Sequence, residues 1–119
     1  MSADLTGAAE VGPGDPDGSG TMELTLNQGQ GEICFALDVD DIVSPTRAHI
    51  HRGEAGVNGP VVVFFFDTVI PDPIPVAFDG CVDVEKDLVK EIRQHPEQFY
   101  INIHNSDFPG GAIRGQLSK

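Results

Sequence analysis

Two short stretches decide the fold: Ala48-His49-Ile50-His51-Arg52-Gly53 and Tyr100-Ile101-Asn102-Ile103-His104-Asn105. Both alternate with period 2, and a β-strand sends successive side chains to opposite faces at a rise of about 3.3 Å per residue. His49 and His51 therefore share one face of their strand, with Ala48 and Ile50 on the other. In the second stretch Phe99, Ile101 and Ile103 share a face, and Tyr100, Asn102 and His104 take the opposite one. Three of the four histidines thus stand on polar faces backed by apolar ones. If the two strands pair, three imidazoles converge, a donor set that suits copper or zinc.

The surrounding sequence reads as more strands. Residues 21–26 alternate, residues 27–31 carry a glycine-containing turn, and residues 32–39 alternate again, which is a hairpin signature. Residues 3–10 alternate weakly and predict an edge strand, followed by a loop with Pro13 and Pro16. The 53–59 segment is a glycine-rich loop, and the most apolar run, residues 61–66, follows Pro60. Pro71, Pro73 and Pro75 exclude a helix and predict an extended loop. Strand character returns at Val76-Ala77-Phe78 and around Cys81-Val82. One helix is expected over residues 85–94, where Leu88, Val89 and Ile92 form an apolar stripe and His95-Pro96 ends it. Phe108-Pro109-Gly110-Gly111 is a tight turn before a last strand over residues 112–117. About eight short strands and one short helix predict an all-β fold, an antiparallel Greek-key β-sandwich or partly closed barrel.

A chain of 119 residues is one domain, and 39% hydrophobic residues suffice for a core. The formal net charge of -12 excludes a nucleic-acid partner, which needs a basic footprint, and disfavours anionic membranes. It favours accumulation of cations near the surface. No run of about 18 apolar residues predicts a transmembrane segment. Met1-Ser2 leads into Ala3-Asp4-Leu5-Thr6 without a basic or apolar leader. Either the protein stays in the cytoplasm, or a signal has been removed and Met1 is not native. Cys34 and Cys81 are either one disulfide or two buried thiols in a reducing compartment. A bond closing 47 positions stabilises by roughly 4 kcal/mol in the chain-entropy model.

The candidate metal ligands are His49, His51 and His104. Copper is preferred to zinc, because Cu(II) leads the affinity order and no thiolate or clear carboxylate completes a zinc site. Glu54 and Asp107 are either extra ligands or solvated loop carboxylates. Arg114 has three readings: it guides an anion to the metal, pairs with an acid such as Asp107, or braces the Gly110-Gly111 turn. Asn102 shares the His104 face and is a candidate hydrogen-bond partner for a ligand imidazole. His95, at the helix end, stays outside the site. No Gly-x-Ser-x-Gly elbow supports nucleophilic catalysis, and the 53–59 loop lacks the Gly-Lys-Ser/Thr ending of a phosphate loop.

Several of these segments together resemble a known family. They are residues 48–53, Gly56-Val57-Asn58-Gly59-Pro60-Val61-Val62, residues 100–104, and Phe108-Pro109-Gly110-Gly111-Ala112-Ile113-Arg114-Gly115-Gln116-Leu117. They follow the pattern of the CHRD domain, named after chordin and common in secreted bacterial proteins. The opening Leu5-Thr6-Gly7-Ala8-Ala9-Glu10-Val11 also resembles the start of that domain, so the likeness covers residues 1–119 as one domain. The resemblance implies a β-sandwich and an exported protein, secreted or periplasmic. Export in turn supports removal of a signal and a Cys34–Cys81 disulfide. It implies no settled activity. The chain is more distantly similar to copper-zinc superoxide dismutase, where a His-x-His strand, a later strand histidine and a Gly-rich segment with Arg build a copper site. His49, His51, His104 and Arg114 match those elements, while the bridging histidine and the zinc loop are absent, which implies a mononuclear site. Three functions follow as alternatives: an exported module holding copper, a copper-dependent redox enzyme acting on superoxide, or a structural or adhesion module without metal. No feature of the sequence specifies a protein partner.

Overall fold

The computed structural model describes residues 1–67 and 77–119. Its strands are β1 (Ser2–Thr6), β2 (Ser19–Asn27), β3 (Glu32–Asp40), β4 (Pro45–Arg52), β5 (Val61–Asp67), β6 (Ala77–Asp83), β7 (Phe99–Asn105) and β8 (Ile113–Gln116). One helix, α1 (Lys86–Gln94), and a short 3-10 turn at Pro96–Gln98 separate β6 from β7. The extended loop expected around Pro71, Pro73 and Pro75 lies outside the described residues, as does Val76.

All pairings are antiparallel, in the order β5-β4-β7-β8-β1-β2-β3-β6. The two ends of that order, β5 and β6, touch, so the sheet rolls into a nearly closed barrel. β7 returns to lie beside β4, the first of the consecutive run β4-β5-β6, which is the Greek-key connection. The expected all-β Greek-key architecture with one helix is therefore the fold observed.

Period-2 patterning sets which residues face inward. β3 buries Ile33, Phe35, Leu37 and Val39 and exposes the residues between its last three. β2 adds Met22 and Leu24, β4 adds Ala48 and Ile50, and β7 adds Ile101 and Ile103. With no tryptophan in the chain, phenylalanines fill the seam where the barrel closes. The Phe35 ring of β3 lies 4.7 Å from that of Phe65 on β5 and 5.9 Å from that of Phe78 on β6. The α1 helix buries Val89 and Ile92, while Leu88 is only half-buried. His95 leaves the helical region and Pro96 ends the helix, as expected.

One expectation is corrected. The first strand is interior, not an edge, and shorter than residues 3–10. β1 pairs with β2 along its length and with β8 through Thr6 and Arg114, with a further bridge between Ser2 and Ser118. The C-terminal strand covers the side of β1 that a local reading leaves open. Strand character at Ala77-Phe78 and Cys81-Val82 merges into the single strand β6.

Cys34 and Cys81 stand opposite each other in the β3–β6 register and form a disulfide, so the oxidised alternative is the one realised.

Candidate metal centre

β4 and β7 are neighbours inside the sheet, and their register builds the site. His49 lies opposite Asn102, His51 opposite Tyr100, and Arg47 opposite His104. His104 is thus a diagonal neighbour of His49 on the outer face, within reach of long side chains. The ring centroids of His49 lie 5.2 Å from His104 and 5.7 Å from His51. One ligand nitrogen from each of the three imidazoles falls within 4.8 Å of the other two. The β4–β5 ladder shifts register twice, between Ala48 and His49 and between Ile50 and His51, and so places Phe64 beside His49. The two rings meet edge to face with centroids 4.9 Å apart.

The outer face expected to be merely polar is covered. Tyr100, Asn102 and Arg114 are buried, and His49 is only 6% exposed. The cover is the 53–59 loop and the turn after β7. The Arg114 guanidinium holds that loop, donating from Nη1 to Asn58 Oδ1 (3.1 Å) and from Nη2 to the Glu54 and Val57 carbonyls (3.1 and 2.6 Å). The Gly59 backbone N–H donates to the Tyr100 hydroxyl at 3.1 Å. Only glycine fits at position 59, because a Cβ there would stand 1.6 Å from the Arg52 carbonyl oxygen.

These covering segments orient two of the three imidazoles. His51 Nδ1 lies 2.9 Å from the Gly59 carbonyl, and His104 Nδ1 lies 2.9 Å from the Pro109 carbonyl. A carbonyl only accepts, so each Nδ1 carries the proton and each Nε2 presents its lone pair. His51 Nε2, His104 Nε2 and both nitrogens of His49 are buried with no hydrogen-bond partner. Burial pushes the His49 pKa down to about 4, helped by the neighbouring His104 and His51 imidazoles. Burial also lowers His51 and His104, against the opposing pull of their carbonyl bonds. All three are neutral at pH 7, the form that ligates a metal.

The other candidate residues have different surroundings. Asn102 Nδ2 donates to the Ile113 carbonyl (3.1 Å) and to the Glu10 carboxylate. Arg114 lies with its guanidinium carbon 3.4 Å from the Tyr100 ring centroid, and its hydrogen bonds run to the covering loop. Glu54 and Asp107 are exposed and lie outside the imidazole cluster; Glu54 contributes its backbone carbonyl to Arg114. His95 pairs at 3.8 Å with Glu97. Sequence reasoning missed the two orienting carbonyls, of Gly59 and Pro109, and it missed Glu10. Burial raises the Glu10 carboxyl to about 7, against the Asn102 hydrogen bond and the Arg114 charge. A backbone acceptor leaves no mark in residue type, so no signal in the sequence marks the two carbonyls.

The CHRD domain family model matches residues 1–117, and the chain belongs to the CHRD domain family. No curated protein and no solved structure matches it. No helix among the described residues is long and apolar enough to cross a membrane.

Proposed function

We propose that this CHRD-domain protein is an exported module that binds one metal ion, copper in preference to zinc, through His49, His51 and His104. The observation that carries the reading is a set of buried, unpartnered ring nitrogens on three histidines of two adjacent strands, whose ligand atoms lie within 4.8 Å of one another. A buried polar atom left without a partner costs about 1–3 kcal/mol, and neighbouring orphans of one chemical type point to a missing common partner. Neutral imidazoles suit a divalent transition metal. The cluster holds no thiolate or carboxylate among the described residues, which favours copper over a four-coordinate structural zinc site. The disulfide fits an oxidising compartment.

Binding is preferred to redox catalysis for two reasons. Arg114, the residue that would steer an anion, is 2% exposed and has its guanidinium bonded to the 54–58 segment. The net charge of -12 also repels superoxide. The test is a Cu(II) titration read by electron paramagnetic resonance. One equivalent should bind with nitrogen hyperfine structure, and His104→Ala should weaken it strongly. A triple alanine variant that binds copper as tightly as the parent overturns the assignment. The copper-loaded protein should remove superoxide far more slowly than the diffusional ceiling of about 10⁹ M⁻¹s⁻¹. Stopped-flow decay near that ceiling, lost in His51→Ala, would instead make it an enzyme.

A further inference from the structure

A second set of ligand atoms lies at the other end of the strand order from the imidazoles, between β3 and β6. Glu32 and Cys34 are two residues apart on β3 and so share a face, and Cys81 stands opposite Cys34 on β6. Glu32 Oε1 lies 3.6 Å from Cys34 Sγ, and one ligand atom from each of Glu32, Cys34 and Cys81 falls within 4.8 Å of the other two. Cys81 is exposed. Both cysteines line a groove of about 410 Å³ that Glu23 and Asp79 also line. A disulfide with an exposed cysteine belongs to the labile kind, open to attack by a thiolate.

We propose that reduction of the Cys34–Cys81 disulfide by a dithiol uncovers a thiolate-rich metal site, completed by the Glu32 carboxylate, for Zn²⁺ or another thiophilic divalent ion. In the reducing step a thiolate of the dithiol attacks Cys81 Sγ, giving a mixed disulfide and releasing Cys34 as thiolate. The second thiol of the reductant closes its own disulfide and releases Cys81. Two electrons and two protons pass to the protein, and the dithiol leaves as a cyclic disulfide. The ion then displaces both thiol protons and takes two sulfurs and one carboxylate oxygen. The β3–β6 ladder keeps the freed sulfurs adjacent, as metal–sulfur bonds of about 2.3 Å to one ion require. Thiolates select soft or borderline ions, so this site differs in taste from the imidazole cluster. The carboxylates lining the groove and the overall negative charge attract the cation.

Cadmium is the probe, because its thiolate charge-transfer absorption in the ultraviolet does not arise at an imidazole site. The full chain is reduced with dithiothreitol, freed of reductant under anaerobic conditions and titrated with Cd²⁺. The expected result is a charge-transfer band saturating at one equivalent, absent from the oxidised protein and from Cys34→Ser/Cys81→Ser, with affinity reduced tenfold or more in Glu32→Gln. Absence of the band in the reduced parent overturns the proposal. So does a Glu32→Gln titration that superimposes on the parent. Loss of the β-sheet circular dichroism on reduction overturns it too, since the site requires the β3–β6 register.

Discussion

His51 and Tyr100 face each other across the β4–β7 ladder with ring centroids 4.7 Å apart and planes 7° from parallel. The same tyrosine carries the Arg114 guanidinium and accepts the Gly59 N–H, and the Gly59 carbonyl receives the His51 Nδ1 proton. One imidazole of the cluster is therefore fixed by a closed circuit of stacking and hydrogen bonds, and each member can be tested.

Arg114→Lys keeps the charge but loses the planar fork that holds three acceptors. The 53–59 loop should loosen, giving faster hydrogen exchange at the Val57 and Gly59 amides. Metal affinity should fall by about 10–100-fold, the usual effect of losing a group that orients a ligand. Unchanged affinity and exchange would show that Arg114 does not act through the loop.

Metal binding should persist to lower pH than exposed histidines allow. An exposed imidazole protonates near 6.5 and then cannot ligate, which would end binding below about pH 6. His49 stays neutral down to about 4, and burial moves His51 and His104 in the same direction. Copper affinity should therefore begin to fall at a lower pH than it does for a cluster of exposed histidines, and be lost as the pH approaches 4. Calorimetric titrations across this range check it; affinity already lost at pH 6 would contradict the buried, neutral cluster.

Glu10→Gln should stabilise the metal-free protein at pH 8. The Glu10 carboxyl titrates at about 7 when folded against 4.5 in its ordinary state. Between those values the folded chain holds a proton that the unfolded chain has lost, so stability falls as pH rises through the window. Above it, a partly buried anion is carried at full cost. Glutamine still accepts from Asn102 and removes that cost, a gain of roughly 1–3 kcal/mol, reduced from the full shift by solvent screening. At pH 4 the gain should vanish, because the parent is then protonated as well. Thermal melts at both values decide it.

Reducing the disulfide, or replacing both cysteines by serine, should lower stability by roughly 4 kcal/mol and the melting temperature by about 10 °C or more. Calorimetry with and without dithiothreitol measures it. An unchanged melting temperature would show that the β3–β6 ladder holds without the bond.

The sequence already carried the barrel and the three imidazoles, because both follow from period 2. Once residues 48–53 and 99–105 are strands, the faces of His49, His51 and His104 are settled, and pairing is all that remains. What stayed hidden depends on distant partners. β1 looked like an edge because its second neighbour, β8, lies at the far end of the chain. The Asn102 amide donates to Glu10, 92 positions away, a contact that no local pattern signals. The Gly59 and Pro109 carbonyls orient imidazoles with main-chain atoms that every residue possesses, so no spacing of side chains could have announced them.

All three imidazoles stand on two hydrogen-bonded strands that are themselves flanked by strands on both sides. Such a cluster has little conformational freedom left to surrender when an ion arrives. An ion bound there would have to adopt the spacing that the sheet dictates, and one that prefers another coordination shape would find the imidazoles hard to move toward it. On the proposed metal-binding reading, discrimination among metals would lie in the backbone ladder, and a substitution far from the histidines that alters strand twist would change which ion binds.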